Sequence, residues 1–162
     1  MKHLEREILG ILSEDCRIGT EKIATMLGQT PAAVEQAIRD LEKRGAIVKY
    51  TAISNLDEEE DECVQALIEV KVTPQRGSGF DGIAEEIAQH SEVKNLYLMS
   101  GAYDFAVIVE SNSVKAVSRF ISECISTFDC VLSTATHFIL KKYKIEGALT
   151  AKKKSGRLSV QA

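Results

Sequence analysis

Residues 20–47 read TEKIATMLGQTPAAVEQAIRDLEKRGAI, and their helix-end residues and apolar spacing decide the fold of the first third of the chain. Thr30 can cap a helix by accepting a backbone N–H bond. Pro31 follows at the first helical position, where its missing N–H costs nothing. Gly45 can take the left-handed conformation that closes a helix C-terminus. Between these ends Val34, Ile38 and Leu41 fall on one face at i, i+4 and i+7. The preceding helix buries Ile23, Ala24 and Leu27, with small Ala24 where the two helices cross and Gly28 where the chain turns sharply. This is the pattern of a helix-turn-helix, a motif that lays its second helix in the DNA major groove. The same pair of helices around a glycine also occurs as a plain structural corner.

The flanking residues complete a unit. Leu4, Ile8, Leu9, Ile11 and Leu12 form an amphipathic helix ahead of the motif, the third helix that closes a small core. Residues 46–53, AIVKYTAI, read as a β-strand that begins a wing. Residues 1–53 are therefore expected to form a winged helix-turn-helix. The charge changes along the chain. Residues 1–50 hold eight basic and eight acidic side chains, whereas Asp57–Glu62 is an unbroken acidic run. That run marks residues 54–62 as a solvated linker. Residues 146–162, with Lys152, Lys153 and Lys154, read as a basic tail, either a solubilising end or an extra DNA contact.

At 162 residues the chain supports one domain or two small ones, and a hydrophobic content of 44% is ordinary for a globular protein. No stretch approaches the roughly 20 apolar residues a membrane span requires. The first residues, MKHLEREIL, read as an amphipathic helix rather than a signal peptide, so a cytoplasmic protein is expected. Cys16, Cys63, Cys124 and Cys130 show no C-x-x-C spacing and only three histidines are present, which argues against a metal site. Buried or half-buried thiols are the simpler reading.

The second half alternates differently. Val64, Ala66, Ile68, Val70 and Val72 mark a half-buried strand. Pro74 to Gly79 is turn chemistry, and Phe80, Ile83, Ala84, Ile87 and Ala88 lie on one face of a helix. Val93 to Ser100 and Tyr103 to Glu110 read as strands about a tight Gly101-Ala102 turn. Ser113 caps a helix carrying Val114, Val117, Ile121, Ile125 and Phe128, and Val131 to Leu140 is a last strand. The order strand, helix, strand, strand, helix, strand predicts an antiparallel sheet with two helices on one face, a ferredoxin-like βαββαβ domain over residues 63–145. The fold class is α+β. Leu67 lies opposite the Ile68 set, and Tyr97 and Met99 lie opposite Leu96 and Leu98, so the second sheet face also asks for cover. A homodimer is expected.

At this point the chain resembles the Lrp/AsnC, or feast/famine, family of bacterial and archaeal transcription regulators over almost its whole length. The residues that carry the resemblance are Ile8-Leu9, Ile11-Leu12, Cys16-Arg17, Ile23-Ala24, Leu27-Gly28, Leu41-Glu42, Gly45 and Ile47, then Ser100-Gly101-Ala102-Tyr103-Asp104 and Ser133-Thr134-Ala135-Thr136. The resemblance implies sheet-paired dimers, assembly of dimers into octameric rings, and a small effector, usually an amino acid. That effector binds between dimers at the Gly-x-Tyr-Asp turn and alters assembly or DNA affinity.

The residues suit that chemistry. Gly101 lets a backbone approach a ligand closely. Asp104 can receive an ammonium group and backbone N–H groups a carboxylate; Ser100, Gly101, Ala102 and Tyr103 complete the expected effector site, and Thr134 and Thr136 share a face that offers hydroxyls. The alternative is that Gly101–Asp104 is a hairpin turn capped by Asp104. The double-stranded DNA contacts expected are Thr30, Ala32 and Ala33 at the start of the second helix, Gln36 for adenine and Arg39 for guanine or phosphate, with Lys43, Arg44, Lys49 and Tyr50 on phosphates. One departure from the family stands out: Ala37 occupies a position where a basic residue is usual, assigned to the exposed helix face. With a charge-balanced first unit, contact per monomer is expected to be weak and binding to rely on assembly. The competing reading is a ligand-sensing oligomer of the same fold with weak or no DNA binding. An enzyme is not expected. Some haem-pathway decarboxylases resemble this two-domain fold, but His3, His90 and His137 lie far apart in sequence and no nucleophile–base pair is visible. No cofactor is called for.

Overall fold

The computed structural model describes residues 2–54, 63–74, 77 and 79–150. The acidic run Asp57–Glu62 and the Lys152–Lys154 tail lie outside the described residues. The chain divides into two compact units, residues 1–54 and residues 55–162.

In the first unit α1 (His3–Glu14), α2 (Thr20–Leu27) and α3 (Pro31–Lys43) close around Ile8, Ile23, Ala24, Val34 and Leu41. The ends of α3 follow from local chemistry. Thr30 Oγ1 accepts the Ala33 N–H at 3.2 Å, and Pro31 opens the first turn. At the far end Gly45 takes φ 70°, which lets its N–H reach Glu42 O at 3.0 Å and the Ala46 N–H reach Leu41 O at 2.8 Å. Those two bonds are a Schellman closure. Gly28 ends α2 in the same way at φ 62°, with Gln29 N–H on Ala24 O at 2.9 Å. The expected strand over residues 46–53 does not form. No other strand exists among the described residues of this unit, and an unpaired strand leaves its backbone groups without partners. The segment instead runs back beside the α1–α2 turn, leaving an open cleft of about 520 Å³ lined in part by Leu12, Cys16, Arg17, Tyr50 and Ile53.

The second unit is built from β1 (Val64–Val72), α4 (Asp81–Ala88), β2 (Val93–Leu98), β3 (Phe105–Ser111), α5 (Val114–Glu123) and β4 (Val131–Phe138). The four strands form an antiparallel sheet in the order β2-β3-β1-β4, the expected ferredoxin-like arrangement. Ala66, Ile68, Val70 and Val72 face Ile83 and Ile87 of α4 and Val117 and Phe120 of α5 in one core, joined by Phe105, Val107 and Val109. Four details differ from the sequence reading. Strand β2 stops at Leu98 and β4 at Phe138, so the β2–β3 connection is a six-residue loop, residues 99–104, rather than a two-residue turn. Val114 is exposed and Phe120 takes the core position, three residues after Val117 on the same helical face. Helix α5 ends at Glu123, and a 3-10 turn, Ile125–Thr127, carries Ile125 into the core. Finally, β5 (Lys144–Ile145) and β6 (Ala148–Leu149) form a small hairpin where the sequence reading begins a tail. Its turn residues Glu146 and Gly147 both have positive φ, 45° and 86°.

Candidate functional site

On α3 the side chains nominated for DNA contact are not equally free. Ala32 and Gln36 are exposed and Ala33 is half-buried. The Thr30 hydroxyl is used as the helix cap. Gln36 Nε2 donates to Asp40 Oδ1 at 2.9 Å, and Arg39 donates to Glu35 Oε1 at 2.7 Å and to Gln36 Oε1 at 3.2 Å. These one-turn surface contacts are worth only tenths of a kcal/mol, about 0.3–0.5 per pair, so a base or phosphate can replace them. Lys43 and Lys49 are exposed, with no side-chain partner among the described residues. Ala37 does not lie on the open face. It is half-buried and packs against the Val34–Leu41 core, because it stands three residues after Val34 and four before Leu41. Tyr50 donates its hydroxyl to Glu42 Oε1 at 2.9 Å, and burial, followed by the Glu42 carboxylate, pushes its phenol up from the usual range.

Arg44 is engaged inside the unit. Its Nη2 donates to Glu5 Oε2 at 2.7 Å, and the same oxygen accepts the Lys2 backbone N–H at 2.8 Å. Glu5 is only 6% exposed. The Arg44 contact, then the Lys2 N–H, hold its carboxyl below the usual carboxylate range. The sequence reading passes over Glu5, although an acid between Leu4 and Ile8 on a buried helix face is a signal that a cation must meet it.

In the second unit the 99–104 loop is closed by Met99 N–H on Asp104 O at 2.7 Å and is fastened to β1 by Asp104 N–H on Val70 O at 3.0 Å. Asp104 Oδ2 also accepts the Val72 N–H at 2.8 Å, beside the register shift between Lys71 and Val72. One carboxylate oxygen of Asp104 thus caps the sheet. Ser100, Gly101 and Ala102 are exposed and Tyr103 is half-buried, and their four backbone N–H groups have no partner among the described residues. Gly101 has an ordinary φ, and a Cβ there would meet no atom within 4 Å, so nothing inside this protomer demands glycine. Thr134 and Thr136 pair with Val70 and Ile68 and therefore share the helix-covered face, each half-buried. Asp104 and Thr134 flank Val70 from opposite sides, about 10 Å apart across two strand spacings. Thr136 lies two residues deeper. The structure brings the loop and Thr134 to one end of the sheet. Leu98 and Phe105, which border the loop, also line a shallow apolar groove of about 300 Å³ with Phe80, Ala84 and Leu96, rimmed by Asp81 and Glu85.

The histidines stand in separate settings: His3 beside Glu7 at 2.9 Å, His90 edge-on to Phe120, and His137 near Glu69 at 3.4 Å on the sheet face away from the helices. No helix among the described residues is long and apolar enough to cross a membrane.

Residues 65–149 match the family model for the Lrp/AsnC ligand binding domain, and residues 1–48 match the winged helix-turn-helix DNA-binding model. The uncharacterized HTH-type transcriptional regulator YugG of Bacillus subtilis (strain 168) is 49% identical over 144 residues, covering 88% of this chain and 87% of its own. The leucine-responsive regulatory protein of Escherichia coli (strain K12) is 25% identical over 157 residues, covering 94% and 92%. Among solved structures, a transcriptional regulator of Neisseria meningitidis in complex with L-Met aligns over 90% of this chain and 93% of that one, with a TM-score of 0.69 and 19% identity, a likeness of fold.

Proposed function

This chain belongs to the Lrp/AsnC family of helix-turn-helix transcriptional regulators, with a ligand-binding domain rather than an enzyme's active site, and from that premise we propose a division of labour between its two units. Helix α3 reads double-stranded DNA through Ala32, Ala33, Gln36 and Arg39, with Lys43 and Lys49 on phosphates. The 99–104 loop receives a free amino acid, and the occupied loop changes assembly or DNA affinity. The observation that carries the reading is the set of four N–H groups at 100–103, without partners among the described residues, next to the Asp104 carboxylate. Adjacent donors and an acid suit the two charged groups of an amino acid. The groove beside Leu98 and Phe105 suits an apolar side chain. The names of relatives that respond to leucine or hold L-Met favour the same ligand class. A protein that acts on DNA in this way works in the cytoplasm. The test is a thermal-shift screen of the protein amino acids: at least one raises the melting temperature, and a flat result across all of them overturns the effector assignment.

Assembly is part of the proposal. The sheet face opposite the helices carries half-buried Leu67 and Ile108 and exposed Tyr97, and a second copy would cover them. We therefore expect a homodimer, with dimers assembling into octamers as the family resemblance implies. Sedimentation velocity at micromolar concentration should give a dimer or larger, and Leu67→Asp should shift it toward monomer by placing a charge in an apolar interface. A monomer for the unmodified chain rejects the dimer. The charge balance of residues 1–50 favours a second reading, a ligand-sensing oligomer with weak DNA binding. It differs from the first in showing no promoter binding even at low salt.

A further inference from the structure

We infer that Glu5 and Arg44 form a tie that sets the placement of α3 for DNA, so that both are positioning residues and Arg44 is not a phosphate contact. The inference rests on the reading that α3 is the recognition helix. Glu5 is the only buried charged side chain among the described residues, and Arg44, the residue that ends α3, reaches it from 39 positions away. No other polar side-chain bond joins α1 to α3 among the described residues. The rest of that contact is apolar: Ile8 against Val34 and Leu41, with Leu4 and Ile38 beside them. Apolar burial is non-directional and tolerates small slides and rotations. A charge-assisted hydrogen bond to a buried carboxylate oxygen does not. The Arg44 end is further fixed by the Schellman bonds of Gly45 and Ala46. The tie to Glu5 therefore ends on a fixed stretch of backbone.

Location argues against base readout by Arg44. Helix-turn-helix proteins contact base edges with the N-terminal residues of the recognition helix. Helix α3 has 13 residues, and Arg44 follows the last of them, about 20 Å from the Thr30 end at 1.5 Å per residue. Arg44, Lys43 and Lys49 are all exposed, but only Arg44 carries an internal partner among the described residues.

The experiment measures binding of the full chain to a duplex of its own upstream region across a salt series, for the unmodified protein, Glu5→Gln, Arg44→Ala and the double variant. Glu5→Gln removes a negative charge from the DNA-binding unit, which by simple electrostatics would tighten binding. The tie predicts the opposite: about fivefold or more weaker binding, with the log–log salt slope unchanged. Arg44→Ala should weaken binding with the same unchanged slope, and the double variant should be no weaker than the worse single one. Arg44→Lys, which keeps the charge on a shorter side chain with a different donor geometry, should fall between. It is read by the same criteria should Arg44→Ala fail to melt cooperatively. A slope reduced by about 0.9 in Arg44→Ala marks a phosphate contact and overturns the inference, as does Glu5→Gln binding as tightly as the unmodified protein. Failure of the unmodified protein to bind at low salt would instead reject the DNA-reading assignment of α3.

Discussion

Replacing Asp104 with alanine should weaken binding of the responding amino acid by about tenfold to a hundredfold while leaving DNA binding by the unliganded protein largely intact. A charge-assisted contact is worth about 1.5–3 kcal/mol, which sets that range. The geometry adds a second component. Asp104 Oδ2 already accepts the Val72 N–H, so the alanine variant also loosens the loop's attachment to β1. Asparagine separates the two effects, since its side-chain oxygen can still accept from Val72 but offers no charge to an ammonium group. Calorimetric titration of both variants decides between them. If asparagine binds the ligand as tightly as aspartate, Asp104 is a sheet cap and the ammonium lies elsewhere. If both variants bind as tightly as the unmodified protein, the 99–104 loop is not the effector site.

An equally large effect is expected on the DNA side from Ala32→Glu. Ala32 is exposed in the first turn of α3, where an acidic side chain suits the helix dipole and does not threaten folding. Facing phosphates, the same carboxylate costs several kcal/mol; about 3 kcal/mol corresponds to roughly a hundredfold loss of affinity. The variant should melt no lower than the unmodified protein and should still bind its amino acid. Retained DNA affinity in Ala32→Glu would mean that the start of α3 does not enter the groove.

What the sequence revealed and what it concealed divide along the range of the interactions. Thr30, Pro31, Gly28 and Gly45 act on neighbours a few residues away, and the ends of α2 and α3 fall where those residues indicate. The alternation from Val64 to Val72 needs only its own period to be read as a strand. Residues 46–53 have strand composition as well, but a strand exists only when a partner is near, and composition does not contain the partner. The Glu5–Arg44 tie spans most of the first unit and the Asp104–Val72 bond crosses between strands, so neither is visible to local reading. Ala37 sits at the margin of the apolar stripe, where helical periodicity gives an ambiguous answer and alanine's small side chain adds no preference, so its face is not legible from sequence. The Glu146-Gly147 turn leaves a weak signal, a glycine flanked by Ile145 and by Ala148-Leu149, which the neighbouring lysines mask as a tail. Within the effector site the loop itself was found through its resemblance to a known turn. Its link to β1 and the separation of Thr134 from it came only with the register of the sheet.

The central claim is that a small molecule bound by the second unit changes what the first unit does on DNA. Fluorescence anisotropy of a labelled upstream duplex, titrated with the full chain at fixed low salt with and without saturating amino acid from the thermal screen, measures this directly. The account predicts saturable binding whose midpoint shifts severalfold on adding the ligand, because a ligand can alter assembly or affinity only through unequal binding to the two states. Superimposable curves with ligand-saturated protein, or no binding in either condition, would contradict it.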